Sequence, residues 1–226
     1  MKRLVTAAIA LLPIAVQAGE ILYIEATPIR AVTGAAPESL RDILSRLPAK
    51  DAAATTDPRD PTCPVTSAHE GSHFIASRMS RPSHRAFYFL DGDCWLVPVT
   101  KNTRLSRVAI AVPLHKRGPV YQTYMVDAGR DWEAIPLVLF DEALAYQNGS
   151  IARAEAGIKQ RGETLRHAAE LLLYCHYLVK AIEDQEDEDY PKEDVREFFQ
   201  FLLTRARIIG GNEWKEDDVL REVPSL

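Results

Sequence analysis

Residues 66–76 read Thr-Ser-Ala-His-Glu-Gly-Ser-His-Phe-Ile-Ala, and within them lies the pattern H-E-x-x-H, His69-Glu70-Gly71-Ser72-His73. On a helix, residues i and i+4 lie on one face a turn apart, so His69 and His73 can close on one metal ion. Glu70 stands beside them, where a carboxylate can take a proton from water activated by the metal instead of binding the metal. Two imidazoles leave a divalent zinc with open positions, which hydrolysis requires. A fold that accepts this stretch must bury a helix carrying polar groups, and buried polar groups need partners. No other segment constrains the chain as much.

The start of that helix decides what Glu70 is for. With Ser67 as the N-cap, Glu70 falls at capping-box spacing and is occupied there. A start at Pro64-Val65, with Pro64 in the first turn and Thr62 or Cys63 as cap, leaves Glu70 free. The earlier start is preferred. Gly71 inside the helix costs ~1 kcal/mol relative to alanine, so close approach of a neighbouring segment or a substrate is expected there. Ala68, Phe74, Ile75 and Met79 are the expected buried positions.

On these residues the sequence resembles the H-E-x-x-H zinc metallopeptidases, the zincins. A catalytic zinc in such sites usually takes three protein ligands and a water. The metzincin continuation is excluded: Phe74-Ile75-Ala76-Ser77-Arg78-Met79 has no glycine at 76 and no histidine at 79. The gluzincin pattern instead places a glutamate on a second, downstream helix, and Glu142 in Phe140-Asp141-Glu142-Ala143-Leu144-Ala145-Tyr146 fits it. Ala143 and Ala145 would let that helix approach closely. Tyr146 shares the face of Glu142 and stands where gluzincins often carry an aspartate. The gap from His73 to Glu142 is also longer than in thermolysin-like enzymes, and His84, Asp91 and Asp93 are rival ligands. The resemblance covers the motif helix and this segment. It implies Zn²⁺ held by His69, His73 and Glu142, with Glu70 as general base and Tyr146, Tyr121 or Tyr124 at the oxyanion. It further implies a peptide or protein substrate lying along an exposed strand edge.

The first segment reads as a targeting signal. Lys2 and Arg3 precede an apolar run over residues 4–16, and Val16-Gln17-Ala18 is a small-residue cleavage site. The expected mature chain starts at Gly19, is exported (periplasmic or secreted) and is not stably inserted in a membrane. Of the 27 Lys and Arg residues two lie in the signal, so the mature chain has 25 against 32 acidic residues, a net charge of −7. An acidic surface argues against nucleic acid as a partner. Cys63, Cys94 and Cys175 are an odd number for an oxidising compartment; a Cys63–Cys94 disulfide with Cys175 as a buried thiol is the favoured arrangement. No C-x-x-C pair exists, so a cysteine zinc site is not expected.

Residues 19–226 suit a single α+β domain: mostly helical, zincin-like by the resemblance, with a small β-hairpin or sheet and a helical C-terminal extension over 164–226. Strands are expected over 20–27, 86–90 and 94–99, the last two joined by an Asp91-Gly92 turn. Helices are expected over 37–47, 103–112, 132–155, 164–183 and 191–209. Residues 48–63 read as a loop and 120–126 as a strand or loop. Gly149 marks a bend or an earlier helix end. The acidic run 183–189 lacks the glycine and spacing of a calcium loop and reads as a solvated turn. His176 on an apolar stripe reads as a core histidine, and Ser72 has no serine-hydrolase elbow around it. Two rivals to the hydrolase stand: a zinc-binding envelope module without turnover, and a metal-free helical interaction domain in which the motif is accidental.

Overall fold

The sheet is organised by the Asp91-Gly92 turn. Both residues adopt left-handed backbone, φ 71° at Asp91 and 95° at Gly92, which suits an Asp-Gly pair. The turn brings β2 (His84–Tyr88) back antiparallel to β3 (Asp93–Pro98), with Phe87 opposite Trp95. β1 (Leu22–Glu25) pairs with the other side of β3, giving the order β1-β3-β2, and among the described residues no strand pairs with the outer edge of β2. In this computed structural model the described residues are 21–32, 36–55, 60, 63–158, 162–186 and 189–211. The signal segment, Thr62 and the tail beyond Gly211 lie outside them.

Helices dominate the rest: α1 (Glu38–Arg46), α2 (Ala49–Thr55), α3 (Cys63–Met79), α4 (Leu105–Ala111), the short α5 (Pro119–Tyr121) and α6 (Gly129–Trp132), then α7 (Val138–Glu155), α8 (Gly162–Glu183) and α9 (Lys192–Gly210). The chain is α+β and mostly helical. No described helix is long and apolar enough to cross a membrane. A larger core joins Phe87 and Val97 of the sheet to α4, α7, α8 and α9, with Phe140, Phe198 and Phe199 at its centre. A smaller core joins α1 and α3 to Tyr88 and Cys94. The C-terminal pair α8 and α9 is thus part of the main core.

Several expectations are corrected. Residues 49–55 are helical, as their alanines allow; Ala52 N–H reaches Pro48 O at 2.9 Å. Residues 120–126 are neither strand nor loop: α5 runs into a π-helical turn, Gln122–Asp127. The buried Glu170 carboxylate on α8 accepts Tyr121 N–H (3.2 Å), so tertiary contact overrides the β-prone composition. The helix expected over 132–155 is split: Pro136, which lacks an N–H to continue the ladder, lies between α6 and α7. Cys63 and Cys94 form no disulfide. Cys63 Sγ lies 3.1 Å from Ser67 Oγ at the start of α3. Cys94 is sealed in the smaller core, where burial pushes its thiol up to about 12.

The two glycines on the motif side are explained by close packing. A Cβ on Gly71 would overlap Ile43 Cγ2 of α1, so the neighbouring segment expected there is α1. Gly149 neither bends nor ends α7. A Cβ there would stand 3.1 Å from Val65 O and 3.8 Å from His69 Cβ, so the missing side chain lets α7 lie against α3. For Gly71→Ala, overpacking of ~1–3 kcal/mol exceeds the ~1 kcal/mol gained in helix propensity. The midpoint of urea unfolding should therefore fall despite the better helix former.

Candidate metal centre

α3 starts at Cys63, a turn earlier than a Ser67 cap would place it, so Glu70 lies in the helix interior and has no capping duty. Ser67 Oγ donates to Thr55 O of α2 instead. Val65, Ala68, Ile75 and Ala76 bury one side of α3, while Phe74, expected inside, is 38% exposed. His69 and His73 face α7, which packs along α3 at Gly149.

The rotation of α7 is set by a buried polar ladder. Asn148 Nδ2 donates to Ser72 Oγ (2.9 Å) on α3 and to Tyr88 O (3.1 Å) on β2. Arg205 of α9 donates to Asn148 Oδ1 (2.7 Å) and Gln147 Oε1 (2.9 Å). These bonds lie in a low-dielectric interior, where leaving a partner unmet costs ~1–3 kcal/mol. Ser72 Oγ donates to Ala68 O (2.7 Å), a structural role.

That rotation turns Glu142 toward the histidines. His69 Nε2 lies 3.4 Å from Glu142 Oε2, His73 Nε2 lies 3.4 Å from Oε1, and the two Nε2 atoms are 3.2 Å apart. One donor atom from each of His69, His73 and Glu142 falls within 4.8 Å of the others. Glu142 is 9% exposed and its Oε2 has no hydrogen-bond partner. Burial works against its charge, but the facing His69 and His73 outweigh that and hold it down to about 2. Burial also opposes charge on His73, yet Asp141 and Glu142 raise it to about 10. The cluster is built around positive charge, which a bound cation would supply in place of a proton. Two imidazoles and a carboxylate are a donor set suited to zinc.

Glu70 differs from Glu142 in its surroundings. Its side chain is 51% exposed, with Oε1 4.0 Å from His69 Nε2. Tyr146 packs edge-on against His69 (centroids 4.6 Å apart), and its hydroxyl is 3.0 Å from that of Tyr124. Burial and then the Glu142 charge push the Tyr124 phenol up, so it stays protonated. Tyr121 is turned away: its hydroxyl donates to Ala109 O (2.9 Å). His84 is buried with Nδ1 2.8 Å from Ser83 Oγ, Asp91 lies in the hairpin turn, Asp93 opens β3, and none of the three joins the cluster. His176 is buried in the core, where desolvation lowers it to about 4.

Two residues at the site were not singled out in the sequence. Asp141 Oδ2 lies 3.2 Å from His73 Nδ1, and Arg85 of β2 reaches the same oxygen at 2.6 Å. The adjacency of Asp141 to Glu142 was a readable signal; nothing local marks Arg85. His167 of α8 stacks edge-on against Tyr146 (5.4 Å). Comparisons with known proteins return no significant match: no family model, no curated protein and no solved structure.

Glu142→Ala should reduce uptake of a divalent metal more than the ~10–100-fold typical of an outer-shell loss. His84→Ala and Asp93→Ala should leave it at the parent value. Titration of the metal-free proteins with Zn²⁺ against a chromophoric chelator measures all three.

Proposed function

We propose that this chain is an exported zinc-dependent hydrolase, a peptidase of zincin-like, gluzincin-type construction acting on peptide or protein substrates. The observation that carries the reading is the convergence of His69, His73 and the buried, half-unpartnered Glu142 beside a half-exposed Glu70. His69, His73 and Glu142 would hold the ion. Zinc, when bound, supplies a Lewis acid that polarises a carbonyl and makes water more acidic.

The chain's own residues carry the proton. Glu70 is exposed enough to meet water and substrate, and it takes the proton from the attacking water and returns it to the leaving amine. Tyr146 and Tyr124, paired through their hydroxyls next to the histidines, are the donors nearest a developing oxyanion. The expected strand edge for the substrate is not found on β2, whose outer main-chain groups at His84, Ala86 and Tyr88 are taken by Arg81, Ser80 and Asn148. Export is supported by the basic start, the apolar run and Val16-Gln17-Ala18.

The test uses protein recovered from the envelope or medium, whose mass should place Gly19 first. Glu70→Gln keeps the side-chain shape but cannot take a proton. It should bind zinc as the parent does while hydrolysing a casein substrate ~10²–10⁴-fold more slowly. Equal hydrolysis by Glu70→Gln would remove Glu70 from the mechanism. Zinc binding without hydrolysis in the parent would make the chain a binding module.

A further inference from the structure

A ligand histidine is aimed by what its second ring nitrogen does. When Nδ1–H donates to a carboxylate, the ring is held in orientation and Nε2 is left with its lone pair toward the metal. His73 has this arrangement: Nδ1 lies 3.2 Å from Asp141 Oδ2, while Nε2 faces Glu142 and His69. Among the described residues no carboxylate meets His69 Nδ1; its ring meets Tyr146 edge-on. In this chain the carboxylate that meets a candidate ligand histidine through its second nitrogen is Asp141.

This placement sets two acidic residues side by side. Asp141 and Glu142 are consecutive, and their side chains are 7% and 9% exposed. Two neighbouring buried carboxylates disfavour each other's charge. Arg85 answers this with a charge-assisted bond of 2.6 Å to Asp141, on the oxygen that also faces His73. We infer that Asp141 is the positioning residue for His73, and that Arg85 holds Asp141 in place, a relay running from β2 through α7 to the metal-facing nitrogen. The inference rests on the metal reading above, but its central contact is within the protein. The relay ties the sheet to the centre.

The experiment compares the parent, Asp141→Ala, Asp141→Asn and Arg85→Met. Arg85 lines a cleft of about 140 Å³ with Ser80, Ile135 and Leu137, so a shorter side chain there causes no overpacking. Zinc affinity is measured by chelator competition. The Nδ1 proton of His73, identified by its loss in His73→Ala, is followed by ¹H NMR of ¹⁵N-histidine-labelled protein with and without zinc. The relay requires Asp141→Ala to weaken zinc binding ~10–100-fold and to abolish the downfield, slowly exchanging Nδ1 proton. Asp141→Asn keeps an acceptor oxygen and should recover part of both, and Arg85→Met should fall between parent and Asp141→Ala. A merely structural Asp141 would lower the melting temperature of the metal-free protein while leaving the Nδ1 proton and the zinc affinity of the folded fraction at parent values, and that result overturns the inference. If the parent takes no zinc yet loses the Nδ1 proton in Asp141→Ala, the positioning contact stands and the hydrolase reading falls.

Discussion

The packing of α7 against α3 is the constraint on which the rest depends. It is close because Gly149 carries no side chain where Val65 O and His69 pass. It brings a nearly buried glutamate onto two imidazoles. A carboxylate in that position is costly unless hydrogen-bonded to charged partners or bound to a cation. Here Glu142 stays ionised against its burial because His69 and His73 surround it. A site that must hold positive charge is a consequence of the helix contact, and the catalytic possibilities follow from that charge.

The remainder of the fold keeps this contact in register. Asn148 reaches α3 and β2 in one residue, and Arg205 fixes Gln147 and Asn148 from α9. A rotation of α7 that moved Glu142 away from the histidines would break these buried bonds together. At the far end, Glu155 accepts Ser39 N–H and Oγ–H (2.9 and 2.7 Å), so α7 also caps α1, the helix that occupies the space beside Gly71. On the sheet side, Asp42 of α1 accepts from Tyr88 and pairs with Arg46, which donates to Ala26 O. The motif helix is clamped between α1 and α7, with β2 alongside.

How much of this was legible depended on how local the determinant is. The motif spacing, the Asp-Gly turn and the apolar stripes of α8 and α9 are short-range signals, and each element stands where its pattern lies. Glu142 was legible only through resemblance, although its small neighbours gave a physical reason for close helix contact. The helical state of residues 120–126 was not legible, because it depends on Glu170 some fifty residues away meeting the Tyr121 amide. Arg85 was hidden for the same reason: its partner Asp141 is distant in sequence and near only once the sheet and α7 are in place. Cys63 and Cys94 show the opposite failure: residue type and the expected compartment suggested a disulfide, whereas Cys63 lies against Ser67 and Cys94 is sealed in the smaller core.

The central claim is that two imidazoles and one carboxylate from α3 and α7 hold a single zinc. X-ray absorption at the zinc edge of the purified, zinc-loaded protein tests it most directly. The expected spectrum has two imidazole nitrogens and light oxygen ligands at about 2.0–2.2 Å, with the imidazole signature lost in the His69→Ala, His73→Ala double variant. Sulfur at about 2.3 Å, or an unchanged imidazole signature in the double variant, would contradict it.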